Sequence, residues 1–576
     1  MARNQKVVDS HRFLGVSVFF LVLALWVITK LFILQILQHD YYTLFSMNTH
    51  ELYKQVHPER GEIYFNDSLH NSEFPAAINK EYYLVYAVPK EIPASGVVST
   101  VDKLSQYLAF DDLQKKTLVE KLSIASSSYR AVARKIPDSV IAKLKLENLP
   151  GIYFSTEEYR YYPEDDLAAP VLGFTNFDDD GELRGQYGLE GFFDSELAGK
   201  PGVTVGEKGA LGSLLSLANH TNIKAQNGPD LLLTIDRGLE NNACEKLREG
   251  MKLYEAKSAS LVMMDPQTGA IMAMCSLPDF DPNNYSKTSD LAAFNNTTVF
   301  TAYEPGSVFK SFTMAAGLDL GLISPNTTYT DPCLLTINGY KVRNAQQMCY
   351  GQQTMTQVLE KSINTGAVWV ANKVGTDRFN SYITKFGFGE KTGIPLNVEA
   401  AGDISSLSKK GQIFLANGSF GQGLTATPLQ LASAYAAIAN GGKLMKPYIV
   451  AETRYDDGRV EETKPETEEQ VISERSAKLL SGMLVSVVEN HYHAAQIPHY
   501  YIAGKTGTAQ ISEAGGYSVD RTNHTFAGFA PAANPKFVLI VKYEEPNKKW
   551  AEQTALPVFR DVMKFALDYY GVPGDK

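Results

Sequence analysis

The chain has 576 residues, a length that holds roughly three or four domains of ordinary size. Apolar residues make up 44% and charged residues 20%, enough for a buried core and a wetted surface. With 54 Lys+Arg against 64 Asp+Glu the net charge is -10, which argues against a nucleic-acid binder working through a basic surface, and four cysteines rule out a disulfide scaffold.

The first element is apolar. FLGVSVFFLVLALWVI runs from Phe13 to Ile28, and after Thr29 and Lys30 the run resumes as LFILQIL to Leu37. A bilayer core takes about 20 such residues in a helix, so 13–37 is expected to span a membrane. Arg3, Lys6 and Arg12 precede it, which keeps residues 1–12 cytoplasmic and the rest of the chain outside. The competing reading is a cleaved signal peptide, but the run is longer than an ordinary signal core and no small-x-small site follows it before Gln38. No later segment is long and apolar enough to span again, so the expectation is a single-pass protein.

Residues 38–225 are expected to form a mixed domain of short strands and polar helices. LYKQVHPERGEIYFND has strand character, 98–148 carries helical spacing, and a short helix fits Gly188–Leu197. Nothing in this half forms a catalytic constellation, and its role reads as a pedestal. The composition shifts near residue 226. The segment 226–576 begins with a strand, a helix and a strand pair around Pro-Gln-Thr-Gly, continues with helices near 306–320, 355–374 and 427–440, and returns to strands before a closing helix. Strands at both ends with helices between predict an α+β domain with an antiparallel sheet covered by helices.

An extracytoplasmic location permits disulfides at Cys244, Cys275, Cys333 and Cys349. Cys333 and Cys349 flank LLTINGYKV, whose Asn338-Gly339 is a strong hairpin turn. A turn centred there leaves the two cysteines out of tight register, so a bridge needs an irregular strand. Two separate thiols are the alternative.

Three short patterns carry candidate chemistry. Ser307-Val308-Phe309-Lys310 follows a Pro305-Gly306 turn and opens a helical stretch. Residues three apart share a helix face, so the amine of Lys310 can reach the Ser307 hydroxyl. A serine needs such a base to become a nucleophile, and a lysine serves only if burial or nearby positive charge lowers its pKa. Ser406–Lys409 matches the same spacing in a polar stretch without a clear helix. Ser362-Ile363-Asn364 lies between two helical patterns, where a corner can point a hydroxyl and an amide into a cleft; Ser46–Asn48 and Ser324–Asn326 also match. Lys505-Thr506-Gly507-Thr508 reads as a cleft-lining strand whose lysine and threonine hydroxyls suit a carboxylate. Alternation puts Lys505 and Gly507 on one face and the threonines on the other. Gly507 leaves the backbone open to a ligand. Lys391-Thr392-Gly393 is a second match in a Gly-rich loop.

Each pattern alone is weak; their order SxxK, SxN, KTG outside a membrane is not. The chain resembles the class B penicillin-binding proteins, the monofunctional DD-transpeptidases of peptidoglycan synthesis. Arg60-Gly61-Glu62-Ile63 is similar to the family's RGxI element, RYYPEDDLAAPVLGF and GQYGLEGFFDSELAGKPG to its later pedestal motifs, and 418–442 to a long signature after SxN. The resemblance implies a penicillin-binding, serine β-lactamase-like fold. It implies Ser307 as acylated nucleophile, Lys310 as base, Ser362 as proton shuttle and Asn364 as a contact to the stem peptide. It further implies Lys505, Thr506, Gly507 and Thr508 along the substrate, and an oxyanion hole from the backbone N–H groups of Ser307 and Thr508. No cofactor or metal is implied. The partners implied are D-Ala-D-Ala stem peptides and their amine acceptors, β-lactams, a SEDS-type glycosyltransferase and division proteins, since the pattern lies nearer the division branch than the elongation branch. A β-lactamase or DD-carboxypeptidase on the same fold and an inactive sensor or scaffold are the alternatives. One departure stands before KTG, where VVENHYHAAQIPHYYIAGKTG replaces the family's Gly-Thr-rich turn; His491, His493 and His499 there read as solvated loop residues rather than metal ligands.

Overall fold

The computed structural model describes residues 21–23, 25–27, 29–30, 51–124, 126–178, 183–207, 221–513 and 516–576. The tail 1–12, most of the expected anchor 13–37 and the Ser46–Asn48 match lie outside them. Among the described residues no helix is long and apolar enough to cross a membrane.

The chain divides into two compact units, residues 1–59 with 198–228 and residues 60–197 with 229–576. In the first, Glu51–Val56 pairs antiparallel with Gly202–Glu207, which pairs with Thr221–Ile223. The strand character expected over 52–67 is realised as two strands, Glu51–Val56 and Ile63–Asp67, assigned to different units. Pro58 lacks the N–H that a continuous ladder needs, and Gly61 turns its own N–H to Leu197 O at 2.9 Å.

In the larger unit Ile63–Asp67 runs antiparallel to Ser72–Ala87 and parallel to Asp230–Asp236, which pairs in turn with Val450–Arg454. The long strand Ser72–Ala87 also pairs with Ile152–Tyr161 and Arg130–Ile136. Its Val85 and Ala87 join Val101, Leu104, Leu118, Leu122, Ile141 and Leu144 in a small core of their own. Those apolar residues recur at helical spacing on Val97–Leu108, Asp112–Leu122 and Asp138–Leu146, so the helical stretch expected over 98–148 is three helices with one strand among them.

The arginine of RGxI belongs to a buried ion-pair cluster in this region. Arg60 Nε donates to Glu190 Oε2 at 2.8 Å and Arg60 Nη1 to Asp194 Oδ1 at 2.9 Å, while Arg160 Nε reaches the other Glu190 oxygen at 2.6 Å. Burial by itself would raise the Glu190 pKa; the guanidiniums of Arg160 and Arg60 outweigh it and hold the carboxyl below its ordinary range.

The larger unit also holds a sheet of five strands, β1 (Ser258–Met264), β2 (Ile271–Leu277), β3 (Ala503–Glu513), β4 (Gly516–Ala530) and β5 (Phe537–Glu544). They lie in the order β2-β1-β5-β4-β3, every pair antiparallel. Helices α1 (Arg237–Leu253) and α6 (Ala555–Tyr569) pack on each other and on the sheet, and α4 (Pro428–Ala439) packs on β1, β4 and β5. All of β1 is buried, as expected for a strand covered on both faces. The α+β expectation holds. The remaining helices that matter below are α2 (Lys310–Asp319), α3 (Asn364–Val374) and α5 (Glu474–Asn490).

All four cysteines are paired. Cys244 on α1 joins Cys275 on β2 with Cα atoms 5.4 Å apart, a link across two elements that no local pattern announces. Cys333 joins Cys349. The hairpin between them has the expected register, Leu334 opposite Arg343 and Ile337 opposite Tyr340, around Asn338 at φ 51° and Gly339 at φ 83°. The offset that argued for separate thiols is absorbed outside the hairpin: Cys333, Gln346 and Gln347 all take positive φ.

Candidate active site

Ser307 sits in a short 3-10 turn, Gly306–Phe309, that feeds directly into α2. In 3-10 geometry residues i and i+3 eclipse, which sets Ser307 and Lys310 on one side. The turn depends on Gly306, whose φ is 61° and whose missing Cβ would lie 3.0 Å from the Ala509 Cβ on β3. Gly306 N also donates to Gly421 O at 3.0 Å. Beneath it the backbone is fixed by Tyr435, whose hydroxyl donates to Val308 O at 2.9 Å, and by Phe309 and Phe312, both wholly buried.

Lys310 is 0% exposed and forms the hub of the site. Its Nζ donates to Ser362 O at 2.6 Å, to Ser362 Oγ at 3.1 Å and to Asn364 Oδ1 at 2.7 Å. The acceptors converge because the helical pattern over 355–374 breaks at Ser362. Met355–Glu360 ends, Ser362 turns through φ 52°, and α3 starts at Asn364. A left-handed serine costs energy that glycine avoids. The corner is pinned by Ile363 N to Val358 O at 2.9 Å and by full burial of Ile363. Asn364 spends its amide on protein, Oδ1 on Lys310 and one Nδ2–H on Arg343 O at 2.8 Å. The residue expected to touch the stem peptide thus also holds the Lys310 amine.

The third pattern lies on β3, antiparallel to β4 with Lys505 opposite Ala527 and Thr508 opposite His524. Gly507 faces the turn that carries Ser307. A Cβ there would stand 2.6 Å from Pro305 O and 3.1 Å from Val308 Cγ1, so only a glycine lets the strand lie on the turn bearing Ser307. The threonine hydroxyls are engaged: Thr506 Oγ1 donates to Tyr492 OH at 2.7 Å, and Thr508 Oγ1 accepts Ala551 N–H at 3.2 Å. Lys505 is buried, its amine 3.2 Å from Thr506 O and 5.4 Å from the centre of the Tyr492 ring.

Two buried lysines in one site repel. Burial first, then the charge of Lys505, pushes the Lys310 pKa far below its ordinary value. Burial lowers Lys505 to about 8, against the opposing pull of Glu552. Both shifts run toward the neutral amine, the direction that a lysine acting as a base would need. An ammonium has three donors, and Lys310 spends them on Ser362 O, Ser362 Oγ and Asn364 Oδ1; as a neutral amine it keeps two N–H groups and gains a lone pair.

The other matches do not join this cluster. Lys409 is exposed in its own short turn, and Thr392 binds Glu399 through both its N–H and Oγ1. Of the loop before KTG, His491 lies edge-on to Tyr492 and the carbonyl of His499 accepts from Asp575 N at 3.0 Å. Among the described residues one trio of metal-ligand atoms gathers, Glu240, Cys244 and Cys275, and its sulfurs are bonded to each other. Sequence reasoning passed over Tyr492, which stands under Lys505 in the departing loop, and Glu304, three residues before Ser307; an acid next to Pro-Gly-Ser was the available signal.

This constellation can be compared with known proteins. Residues 259–564 match the penicillin binding protein transpeptidase domain and residues 55–233 the penicillin-binding protein dimerisation domain. The chain belongs to the class B penicillin-binding protein family. It is 30% identical to stage V sporulation protein D of Bacillus subtilis over 580 residues, covering 99% of this chain and 87% of that protein. It is 30% identical to the peptidoglycan D,D-transpeptidase FtsI of Escherichia coli over 528 residues, covering 91% and 85%. Among solved structures, penicillin binding protein 3 of Mycobacterium tuberculosis, complexed with aztreonam, superposes with a TM-score of 0.69 at 26% identity, covering 91% of this chain and 98% of that one.

Proposed function

We propose that this chain crosslinks peptidoglycan stem peptides through an acyl-enzyme on Ser307. The class, a serine-type D,D-transpeptidase that β-lactams acylate, follows from the family; the residue roles are our reading. The observation that carries it is the hub at Lys310, a carboxylate-free buried amine held by Ser362 and Asn364 one turn from Ser307.

In this reading neutral Lys310 takes the Ser307 proton as Oγ attacks the carbonyl between the two D-alanines. The backbone N–H groups of Ser307 and Thr508 receive the oxyanion. Lys505, with Thr506 and Thr508 once their hydroxyls turn from Tyr492 and Ala551 N, holds the terminal carboxylate, and Gly507 lets the peptide lie along β3. Ser362 passes the proton from Lys310 to the departing D-alanine amine, and the second Nδ2–H of Asn364 steadies the stem. The amine of a neighbouring stem then attacks the ester and frees Ser307. Release of D-alanine and formation of crosslinked dimer from defined stem peptides test this; release with water alone as acceptor would favour a carboxypeptidase, and rapid penicillin turnover a β-lactamase.

Residues 13–37 would anchor the chain in the cell membrane with 1–12 cytoplasmic, 38–225 as pedestal and 226–576 as catalytic domain outside. The pedestal and carboxyl-terminal patterns support a septal role beside a SEDS-type glycosyltransferase and division proteins. A tagged copy should gather at the division site; a side-wall distribution would assign it to elongation.

A further inference from the structure

The site gathers two buried lysines, yet a carboxyl stands just before the turn that carries Ser307. Glu304 precedes Pro305-Gly306-Ser307, and its Oε1 accepts Gly423 N–H at 3.1 Å and the Tyr517 hydroxyl at 3.2 Å. Its Oε2 is buried with no hydrogen-bond partner among the described residues. A sheltered carboxyl oxygen without a donor is costly and calls for an explanation. Bracing the loop is an incomplete one, since a brace needs only the oxygen that Gly423 already holds.

The surroundings say what donor is missing. The turn that follows Glu304 is clamped between the 421–423 loop, through Gly306 N to Gly421 O at 3.0 Å, and β3, through Gly306 against Ala509. Tyr517, on β4 opposite Ser512, closes over the carboxyl and is itself 38% exposed, so an incoming group can displace its hydroxyl. The reaction proposed above has two substrates, and the residues assigned so far all serve the first. The second arrives as an ammonium and must lose a proton before its nitrogen can attack.

We propose that Glu304 receives the acceptor stem's amine, holding the ammonium on its carboxyl and taking one proton so that the neutral amine can attack the Ser307 ester. This rests on Ser307 being the acylated residue. The proton moves from nitrogen to the Glu304 carboxyl and later leaves to solvent. The C–N bond forms, the C–Oγ bond breaks, and the second amine proton passes through Lys310 to Ser307 Oγ. Burial raises the affinity of Glu304 for a proton, which suits it to accept one.

The test uses the detergent-solubilised full chain, an ester analogue of an acyl-D-alanine donor, and two acceptors, D-alanine (an ammonium at neutral pH) and hydroxylamine (uncharged there). The transfer-to-hydrolysis ratio is read by mass spectrometry. Glu304→Gln is expected to lower the ratio for D-alanine at least about tenfold, with that for hydroxylamine within about twofold and penicillin acylation within about threefold of wild type. Glu304→Asp, which keeps the charge, is expected to recover part of the D-alanine transfer. Should Glu304→Gln not fold, Tyr517→Arg on the exposed hairpin brings a fixed cation to the carboxyl and should give the same selective loss. An unchanged D-alanine ratio, equal losses with both acceptors, or a parallel loss of acylation would overturn the proposal, the last two marking a brace for the turn. Absence of Ser307 acylation in the wild type would instead refute the reading beneath it.

Discussion

Lys310 and Ser362 meet twice across 52 positions of sequence: the Lys310 amine donates to the Ser362 carbonyl at 2.6 Å and to its hydroxyl at 3.1 Å. Both contacts exist because Ser362 adopts φ 52°, where a side chain is strained and glycine is not. Ser362→Gly should therefore keep or raise the melting temperature while slowing penicillin acylation by about a hundredfold or more, the scale of a lost proton-transfer group. Differential scanning fluorimetry and stopped-flow acylation measure the two effects separately.

Asn364 touches Lys310 as a neutral acceptor. Asn364→Asp would put a carboxylate in the same place and favour the ammonium form. The Lys310 pKa rises, the base is lost at neutral pH, and the acid limb of the acylation pH–rate profile moves to higher pH. Asn364→Ala removes the contact without adding charge and should not move that limb upward.

Lys505 is a wholly buried amine whose pKa is lowered to about 8 from an ordinary 10.5. The folded state thus binds its proton less well than the unfolded state. The cost of burying the ammonium is fully present below about pH 8 and fades as pH rises toward the unfolded value. Lys505→Met should stabilise the fold at neutral pH, by on the order of a few kcal/mol, and the gain over wild type should close toward pH 10.5. The same variant should lose acylation. Melting curves across pH check the sign.

Glu190 is 0% exposed between Arg60 and Arg160. Glu190→Ala leaves two buried guanidiniums without their shared carboxylate, a change expected to cost about 3–5 kcal/mol. The denaturant midpoint should fall, and acylation per folded molecule should be largely kept.

The three motifs were legible because each is a short local pattern, and flanking periodicity separated the matches that gather around Lys310 from the others. The Asn338-Gly339 register was legible for the same reason. The corner at Ser362 showed as a seam between two helical patterns. What was hidden depends on distant partners. The Cys244–Cys275 bridge needs α1 packed on β2, the Glu190 cluster joins three stretches of the pedestal, and Tyr492 acts through Thr506 across a loop whose sequence departs from the family. The expected Cys333–Cys349 offset was correct about the strands, and the irregularity that a bridge was said to need lies just beyond them, at Cys333, Gln346 and Gln347.

The most direct measurement is the site of penicillin attachment. Incubated with a fluorescent penicillin and digested, the wild-type chain should carry the adduct on the peptide containing Ser307, and Ser307→Ala should carry none. Full labelling of Ser307→Ala, or an adduct on another peptide of the wild type, would contradict the account.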